Sequence, residues 1–130
     1  MKDGELRDLC NRFFDAVESH DLDALRVIYA PDLRFWANVA DGEATREQNL
    51  QVLIDGKPRH RRRTYDDRVI NTFPTGFVAR YSCNIMQHNG VPRSLSSCLI
   101  AQCSDGQITR IDAYLDSSKF TDASRRPAAK

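Results

Sequence analysis

The sequence lacks the long apolar segments that membrane insertion and export require. No stretch approaches the roughly 18 consecutive apolar residues that a membrane-spanning helix needs. Residues 1–5 also lack the apolar core of a secretory signal peptide. Together these absences predict a cytoplasmic protein that does not bind a membrane.

The sequence has no excess of charge of either sign. Its 19 lysine and arginine residues nearly balance 18 aspartate and glutamate residues, and the formal net charge is +1. This balance provides no overall attraction to nucleic acid or to anionic lipid.

One local exception to this balance is a basic run at residues 57–63. Runs of this kind are most often solvated linkers, and we interpret this one in the same way. The alternatives are contact with a phosphate-bearing ligand, with nucleic acid or with an acidic partner protein. Because no aromatic residue interleaves with the arginines to stack on bases, the sequence predicts no nucleic-acid binding.

Metal and cofactor motifs are absent as well. The four cysteines have neither C-x-x-C spacing nor a histidine at the spacing of zinc ligands, and no nucleotide-binding motif occurs. We therefore expect no metal and no cofactor. Free cysteine behaves as a small hydrophobic residue, so Cys10, Cys83, Cys98 and Cys103 are predicted to be buried thiols.

The length and composition suit one globular domain. The chain has 130 residues, of which 41% are hydrophobic and 28% are charged, as in ordinary globular proteins with one core. We place this domain at residues 1–120. Residues 121–130 have no periodic apolar positions and are predicted to form a mobile tail.

Three helices are predicted in the first 56 residues. Apolar residues at helical spacing indicate an amphipathic helix at 5–19. Asp21 can cap a second, short helix, which Pro31 would stop because proline disfavours helical backbone in the preceding residue. A capping box at 45–48 predicts the start of a third helix, which ends at Gly56.

The rest of the domain has the pattern of β-structure. One short strand is predicted at 33–38, between the second and third helices. Four longer strands are predicted at 65–73, 77–87, 94–103 and 107–116. The breaks between these four contain glycine with proline or with aspartate, which are turn residues. Helices followed by strands joined through hairpins predict an α+β fold with a mainly antiparallel sheet.

Two segments resemble a known superfamily. Residues 105–117 read DGQITRIDAYLDS, which is similar to its closing strand, and residues 20–25 read HDLDAL, which is similar to its second-helix opening. With the order of elements, these motifs resemble the SnoaL-like, ketosteroid-isomerase-like and nuclear transport factor 2-like proteins, including limonene epoxide hydrolase and polyketide cyclases. The resemblance implies a cystatin-like cone, in which three N-terminal helices pack on a strongly bent sheet around an apolar pocket.

The resemblance also implies a function. We expect the protein to bind, and as an enzyme to isomerise, dehydrate, cyclise or hydrate, a small hydrophobic oxygenated metabolite without a cofactor. The alternative is a non-catalytic ligand-binding or protein-interaction module, as nuclear transport factor 2 is. A homodimer through the outer face of the sheet is implied as well, and Cys98, Ile100 and Tyr114 would make part of that face apolar.

The chain departs from the catalytic residues of two of these families. Limonene epoxide hydrolase uses two carboxylates and an arginine; the corresponding positions here are Ser82 and Ala113, whereas Arg80 keeps the arginine. The aspartate base of ketosteroid isomerase corresponds to Ala37. Neither mechanism therefore transfers directly to this chain.

Three residues are our candidates for chemistry. Arg80 lies within an apolar strand, so it must face a wet pocket or be paired, for example with Asp67. With Asn38 it would stabilise negative charge on a ligand oxygen. His88 is the best candidate for a general base if its hairpin covers the pocket mouth, since its unperturbed pKa is near neutrality.

A larger set of residues is expected to line the pocket. Ser82 and Asn84 share the strand face of Arg80, and Trp36 shares that of Asn38. In the closing strand, alternation predicts that the more apolar set faces inward, namely Thr109, Ile111, Ala113 and Leu115. The predicted pocket-lining residues are Phe14, Trp36, Tyr65, Ser82, Asn84, Ile111 and Ala113.

Overall fold

The computed structural model describes residues 1–56, 60–87 and 89–116. The helices are α1 (Asp3–Ser19), α2 (Leu22–Ile28) and α3 (Arg46–Gly56). The strands are β1 (Tyr29–Ala37), β2 (Glu43–Thr45), β3 (His60–Phe73), β4 (Gly76–Gln87), β5 (Pro92–Ser104) and β6 (Gln107–Leu115). The predicted α+β class with three helices is confirmed. Residues 57–59, His88 and the predicted tail at 121–130 lie outside the described residues.

The ends of α1 and α2 follow from local hydrogen bonds. Helix α1 ends where His20 adopts the left-handed conformation, with a φ of 57°. The next residue, Asp21, starts α2, because its Oδ1 accepts a hydrogen bond from the backbone N of Ala24 at 3.0 Å. None of the helices in the described part of the chain is both long and apolar enough to cross a membrane.

The predicted capping box at the start of α3 is confirmed. The hydroxyl oxygen of Thr45 accepts a hydrogen bond from the backbone N of Gln48 at 3.2 Å, and the backbone N of Thr45 donates to Gln48 Oε1 at 2.8 Å. The two residues thereby satisfy each other's free backbone donors.

The six strands form one mixed sheet in the order β2-β1-β6-β5-β4-β3. Strands β1 and β6 are parallel, and the other neighbouring strands are antiparallel. Strand β1 begins at Tyr29, earlier than predicted. It tolerates Pro31 because its register with β6 shifts between Tyr29 and Arg34, where a missing backbone N–H breaks no regular ladder. Strand β2 was not predicted.

Strand β3 begins five residues before its predicted start at residue 65. The interpretation of the whole basic run as a linker is therefore wrong for residues 60–63. These residues form a strand because they pair with β4, and Arg62 and Arg63 lie opposite Met86 and Ile85.

The sheet has two unlike faces. We call the face that packs on α1 the inner face and the opposite one the outer face. Alternation along the strands gives the inner face most of the buried side chains of the core. In β4 these are Phe77, Ala79, Tyr81, Cys83 and Ile85, all buried.

A bulge in β3 fastens this edge strand to α1. The register with β4 slips by one residue between Asp66 and Val69, and Asp67 has a φ of 55°. Arg68 therefore reaches α1, where it forms ion pairs with Asp15 at 3.0 Å and Glu18 at 3.1 Å.

Candidate functional site on the inner face

Arg80, the first candidate for chemistry, lies on the outer face and is exposed. Its neighbours Ala79 and Tyr81 are the buried inner residues of β4. The expected position of Arg80 inside the cone is therefore wrong, because the odd-numbered residues are the apolar set in this strand. No ion pair joins it to Asp67 within the described residues.

Ser82, Asn84 and Trp36 also lie on the outer face rather than in the predicted pocket. Asn84 donates a hydrogen bond to Asp66 at 2.7 Å, and Trp36 packs edge-on against Tyr114 with ring centroids 5.2 Å apart. Ser82 and Asn84 are even-numbered residues of β4, like Arg80, and therefore face outward with it. Their expected inward positions are wrong for the same reason. Trp36 is turned outward because it pairs with Asp112 of β6.

Asn38 extends the sheet. Its Nδ2 donates to the backbone O of Leu115 at 3.0 Å, and its Oδ1 accepts from the backbone N of Leu115 at 2.9 Å. Both ends of its amide are thus used by one backbone residue, and its side chain does not face the core. His88 lies outside the described residues, so its role as a base stays a prediction.

Four predicted lining residues do share the inner face. Phe14 of α1 is fully buried, and its ring lies 5.3 Å from that of Tyr65 and 4.8 Å from that of Tyr81. Ile111 and Ala113 are buried in β6. Their positions agree with the predicted alternation of the closing strand.

The inner face changes from apolar to polar along the strands. At one end, Phe77, Ala101, Ile111 and Phe35 form an apolar row across β4, β5, β6 and β1. At the other end, Arg63, Ile85 and Arg93 form a row across β3, β4 and β5. We define the polar end of the inner face as Arg63, Tyr65, Tyr81, Cys83, Arg93 and Ser97.

The two arginines of this polar end have no acidic partner among the described residues. Arg63 and Arg93 both lie directly opposite Ile85, which places their Cα atoms about 10 Å apart on one face. The Nε atom of each is buried and has no hydrogen-bond partner, and neither arginine forms an ion pair within the described residues. An unsatisfied buried donor costs about 1–3 kcal/mol. A bound acceptor would therefore be stabilised here.

The two tyrosines supply neutral hydrogen-bond donors. Their rings lie 5.5 Å apart. Burial raises the pKa of Tyr65 and of Tyr81 above the ordinary value, which more than offsets the hydrogen bonds from Arg63 and Ser97. Both hydroxyls therefore keep their protons near neutral pH and can donate to a ligand oxygen.

The described part of the polar end lacks a general base. Burial raises the pKa of the Cys83 thiol to about 11, so this thiol is protonated at neutral pH. No aspartate or glutamate side chain lies on the inner face of the described strands. Glu18 of α1 is nearby, but its carboxylate accepts hydrogen bonds from the backbone N of Tyr65 at 2.6 Å and from Arg68. This arrangement can stabilise negative charge.

No metal site is found among the residues that the structure describes, since no three histidine, cysteine, aspartate or glutamate side chains lie close enough together.

A groove of about 460 Å³ lies near the ends of β3, β4 and β5, where outer-face residues meet Ile85 and Arg93 of the inner face. It is lined by Arg62, Thr64, Asp66, Asn84, Ile85, Met86, Pro92, Arg93 and Ser94. Hydrogen bonds from Thr64 and Asn84 lower the pKa of Asp66. Thr64, Asp66 and Asn84 therefore satisfy one another, whereas the buried Nε of Arg93, which also lines this groove, has no partner among the described residues.

Sequence reasoning missed Arg63, Tyr81, Arg93 and Ser97. The signal that could have found Tyr81 is the alternation of β4, where the odd-numbered residues are more apolar than the even-numbered ones. We applied that rule to β6 but not to β4. Applied there, it would have exchanged Arg80 for Tyr81 as the inward residue.

Comparison with known proteins gives matches of structure only. No protein-family model matches the chain, and no curated protein matches it significantly. A proposed polyketide cyclase from Xanthomonas campestris aligns with a TM-score of 0.82 and 21% identity, over 90% of this chain and 94% of that one. The chain has the SnoaL-like fold.

Two further structures support this fold. IdmH, a proposed polyketide cyclase from Streptomyces antibioticus, has 20% identity and a TM-score of 0.74, over 87% of this chain and 93% of its own. An epoxide hydrolase from M. tuberculosis, similar to limonene epoxide hydrolase, has 16% identity and a TM-score of 0.74. The alignment covers 89% of this chain and 86% of the hydrolase. The resemblance inferred from residues 20–25 and 105–117 is thus confirmed for the SnoaL-like fold.

Proposed function

We propose that this SnoaL-like protein binds a small hydrophobic oxygenated molecule at the polar end of the inner face, without a cofactor. The observation that carries this proposal is the pair of buried, unpaired Nε atoms of Arg63 and Arg93 beside two protonated tyrosines. These donors suit a ligand oxygen, whereas the aromatic rings around Phe14 suit an apolar body.

The chemistry that suits these donors develops negative charge on a ligand oxygen. Isomerisation, dehydration, cyclisation and hydration do so where they pass through an enolate or open an epoxide, and Tyr65 and Tyr81 would donate to that oxygen in the transition state. His88 is our proposed base, because its unperturbed pKa is near neutrality. The functions of the similar proteins, polyketide cyclase and epoxide hydrolase, support this class of reaction.

A second candidate function is binding without catalysis. It is favoured by the lack of a carboxylate on the inner face of the described strands, since proton transfer needs a base. Single-turnover assays separate the two candidates. Conversion of a bound ligand that is lost in His88→Ala supports the enzyme, and a ligand recovered unchanged supports the binding module.

The binding site is tested by removing single hydroxyls. We expect thermal-shift and native mass spectrometry screens of steroids, terpenoid epoxides and aromatic polyketides to find a ligand that Tyr65→Phe and Tyr81→Phe bind five- to tenfold more weakly. Tyr114→Phe on the outer face is the matched control and should bind as the wild type does. Equal affinity in all three variants would contradict a site at the polar end.

We also propose a homodimer through the outer face. Val69, Arg80, Cys98 and Tyr114 are paired in one row across four strands. Val69 is 43% exposed and Tyr114 is 46% exposed, so two large apolar side chains flank this row in contact with water. Trp36 adds a second aromatic ring beside Tyr114.

A further inference from the structure

We infer that the ligand is an organic acid whose carboxylate is held between Arg63 and Arg93. This inference rests on the proposed function and adds the charge of the ligand. A carboxylate has about four acceptor positions and forms short, strong hydrogen bonds with guanidinium groups. Two long side chains on Cα atoms about 10 Å apart can converge on one such group.

The described residues around the two arginines supply no free carboxylate. The carboxylate of Glu18 already accepts hydrogen bonds from Arg68 and from the backbone N of Tyr65. The carboxylate of Asp66, on the outer face, accepts hydrogen bonds from Thr64 and Asn84. Neither Arg63 nor Arg93 is ion-paired within the described residues. The two guanidinium groups therefore lie beside the aromatic residues of the inner face without a carboxylate partner among the described residues.

A solvated position does not explain the two arginines. Both side chains are partly buried, and each Nε is removed from water without gaining an acceptor. Arg63 reaches only the Tyr65 hydroxyl, at a long 3.5 Å. A bound anion would remove this cost at both positions, and a neutral ligand with one carbonyl oxygen would do so less completely.

The same geometry orients the ligand. Tyr65 lies two residues from Arg63 on the inner face, and its ring contacts those of Phe14 and Tyr81. An acid group between the arginines would therefore point its body along this aromatic wall. The class of ligand that fits is a flat, mainly apolar carboxylic acid.

The test uses two probes that differ only in charge, 2-naphthoic acid and its methyl ester. At pH 7.5 we expect calorimetry to give at least tenfold tighter binding for the acid than for the ester in the wild type. Arg63→Met and Arg93→Met should each weaken binding of the acid about tenfold and leave binding of the ester nearly unchanged. The acid should also bind more weakly as salt rises.

Arg80→Met is the matched control, because Arg80 is exposed on the outer face of β4 and, unlike Arg62, does not line the groove that Arg93 borders. It should bind both probes as the wild type does. Arg63→Lys and Arg93→Lys keep the positive charge, and retained preference for the acid in these variants guards against effects of misfolding in the methionine variants.

The outcomes separate this inference from the proposed function. Equal affinity for acid and ester in the wild type overturns the inference and leaves the proposed function standing. A preference for the acid that survives Arg63→Met together with Arg93→Met also overturns it. Binding of neither probe overturns the inference and counts against the proposed site.

Discussion

Arg110 on the outer face of the sheet and the two arginines of the inner face differ in their carboxylate partners. On the outer face, Arg110 makes two hydrogen bonds with Asp112, at 2.9 and 3.1 Å, and one with Glu43 at 2.8 Å. On the inner face, Arg63 and Arg93 each keep a buried Nε without a partner. The half-buried Arg110 is thus paired with two carboxylates, whereas neither inward arginine has a carboxylate partner among the described residues.

The two faces also differ in how many neighbours surround their aromatic rings. Phe14 is fully buried among Phe13, Tyr65, Tyr81 and the guanidinium of Arg68, which lies 5.0 Å above its ring. Trp36 on the outer face contacts one ring, that of Tyr114. Inner rings build the core, and outer rings are free to contact a second copy.

The largest expected effect is the loss of stability in Phe14→Ala. Removing this ring should lower the free energy of unfolding by about 3–5 kcal/mol, because it leaves a cavity among three aromatic side chains. Trp36→Ala should lower it by only about 1–2 kcal/mol. Urea denaturation measures both. Equal losses would contradict a core confined to the inner face.

The next effect concerns the outer face. Tyr114→Lys should weaken the homodimer at least tenfold, because the two-fold axis would bury two like charges at the contact. Val27→Lys on α2 is the control, since Val27 is exposed on a helix. Analytical ultracentrifugation measures the dimer. A wild type that stays monomeric at high concentration would remove the homodimer from the proposal.

The smallest effect is a difference in thiol reactivity. The thiols of Cys83 and Cys10 have pKa values raised by burial to about 11 and about 12. At pH 8 only about one Cys83 thiol in a thousand is a thiolate, because a raised pKa keeps the neutral form. Cys98, half-buried on the outer face, should therefore be labelled first by iodoacetamide.

Mass spectrometry identifies the labelled cysteine, and Cys98→Ser should remove the fast phase. If the outer face forms the dimer, labelling of Cys98 should slow as protein concentration rises. Faster labelling of Cys83 than of Cys98 would contradict the assignment of the two faces.

Much of the fold could be predicted from local signals. The apolar spacing of α1, the cap at Asp21 and the capping box at 45–48 are interactions within a few residues, so the sequence alone reveals them. The first five residues of β3 could not be predicted from such local interactions. Residues 60–63 are basic and resemble a linker, and only their pairing with β4 makes them a strand.

The candidate site was harder to predict, for two reasons. The sequence favours Arg80 because an arginine within an apolar strand must face a wet pocket or be paired, whereas the alternation of β4 turns it outward to solvent. Arg63 and Arg93 are 30 positions apart, and they become neighbours of Ile85 only through the register of three strands. That register includes a slip near Asp67, which no local pattern announced.

The bulge in β3 divides this strand into two halves of opposite phase. Before it, odd-numbered residues such as Arg63 and Tyr65 face inward; after it, even-numbered residues such as Ile70 do. Two residues, Asp67 and Arg68, lie between these halves opposite the single Tyr81, so deleting one of them would restore regular alternation and keep both halves on their present faces. The extra residue therefore does not set which side chains face inward; it places Arg68 where its guanidinium forms ion pairs with Asp15 and Glu18 and thus joins the edge of the sheet to α1.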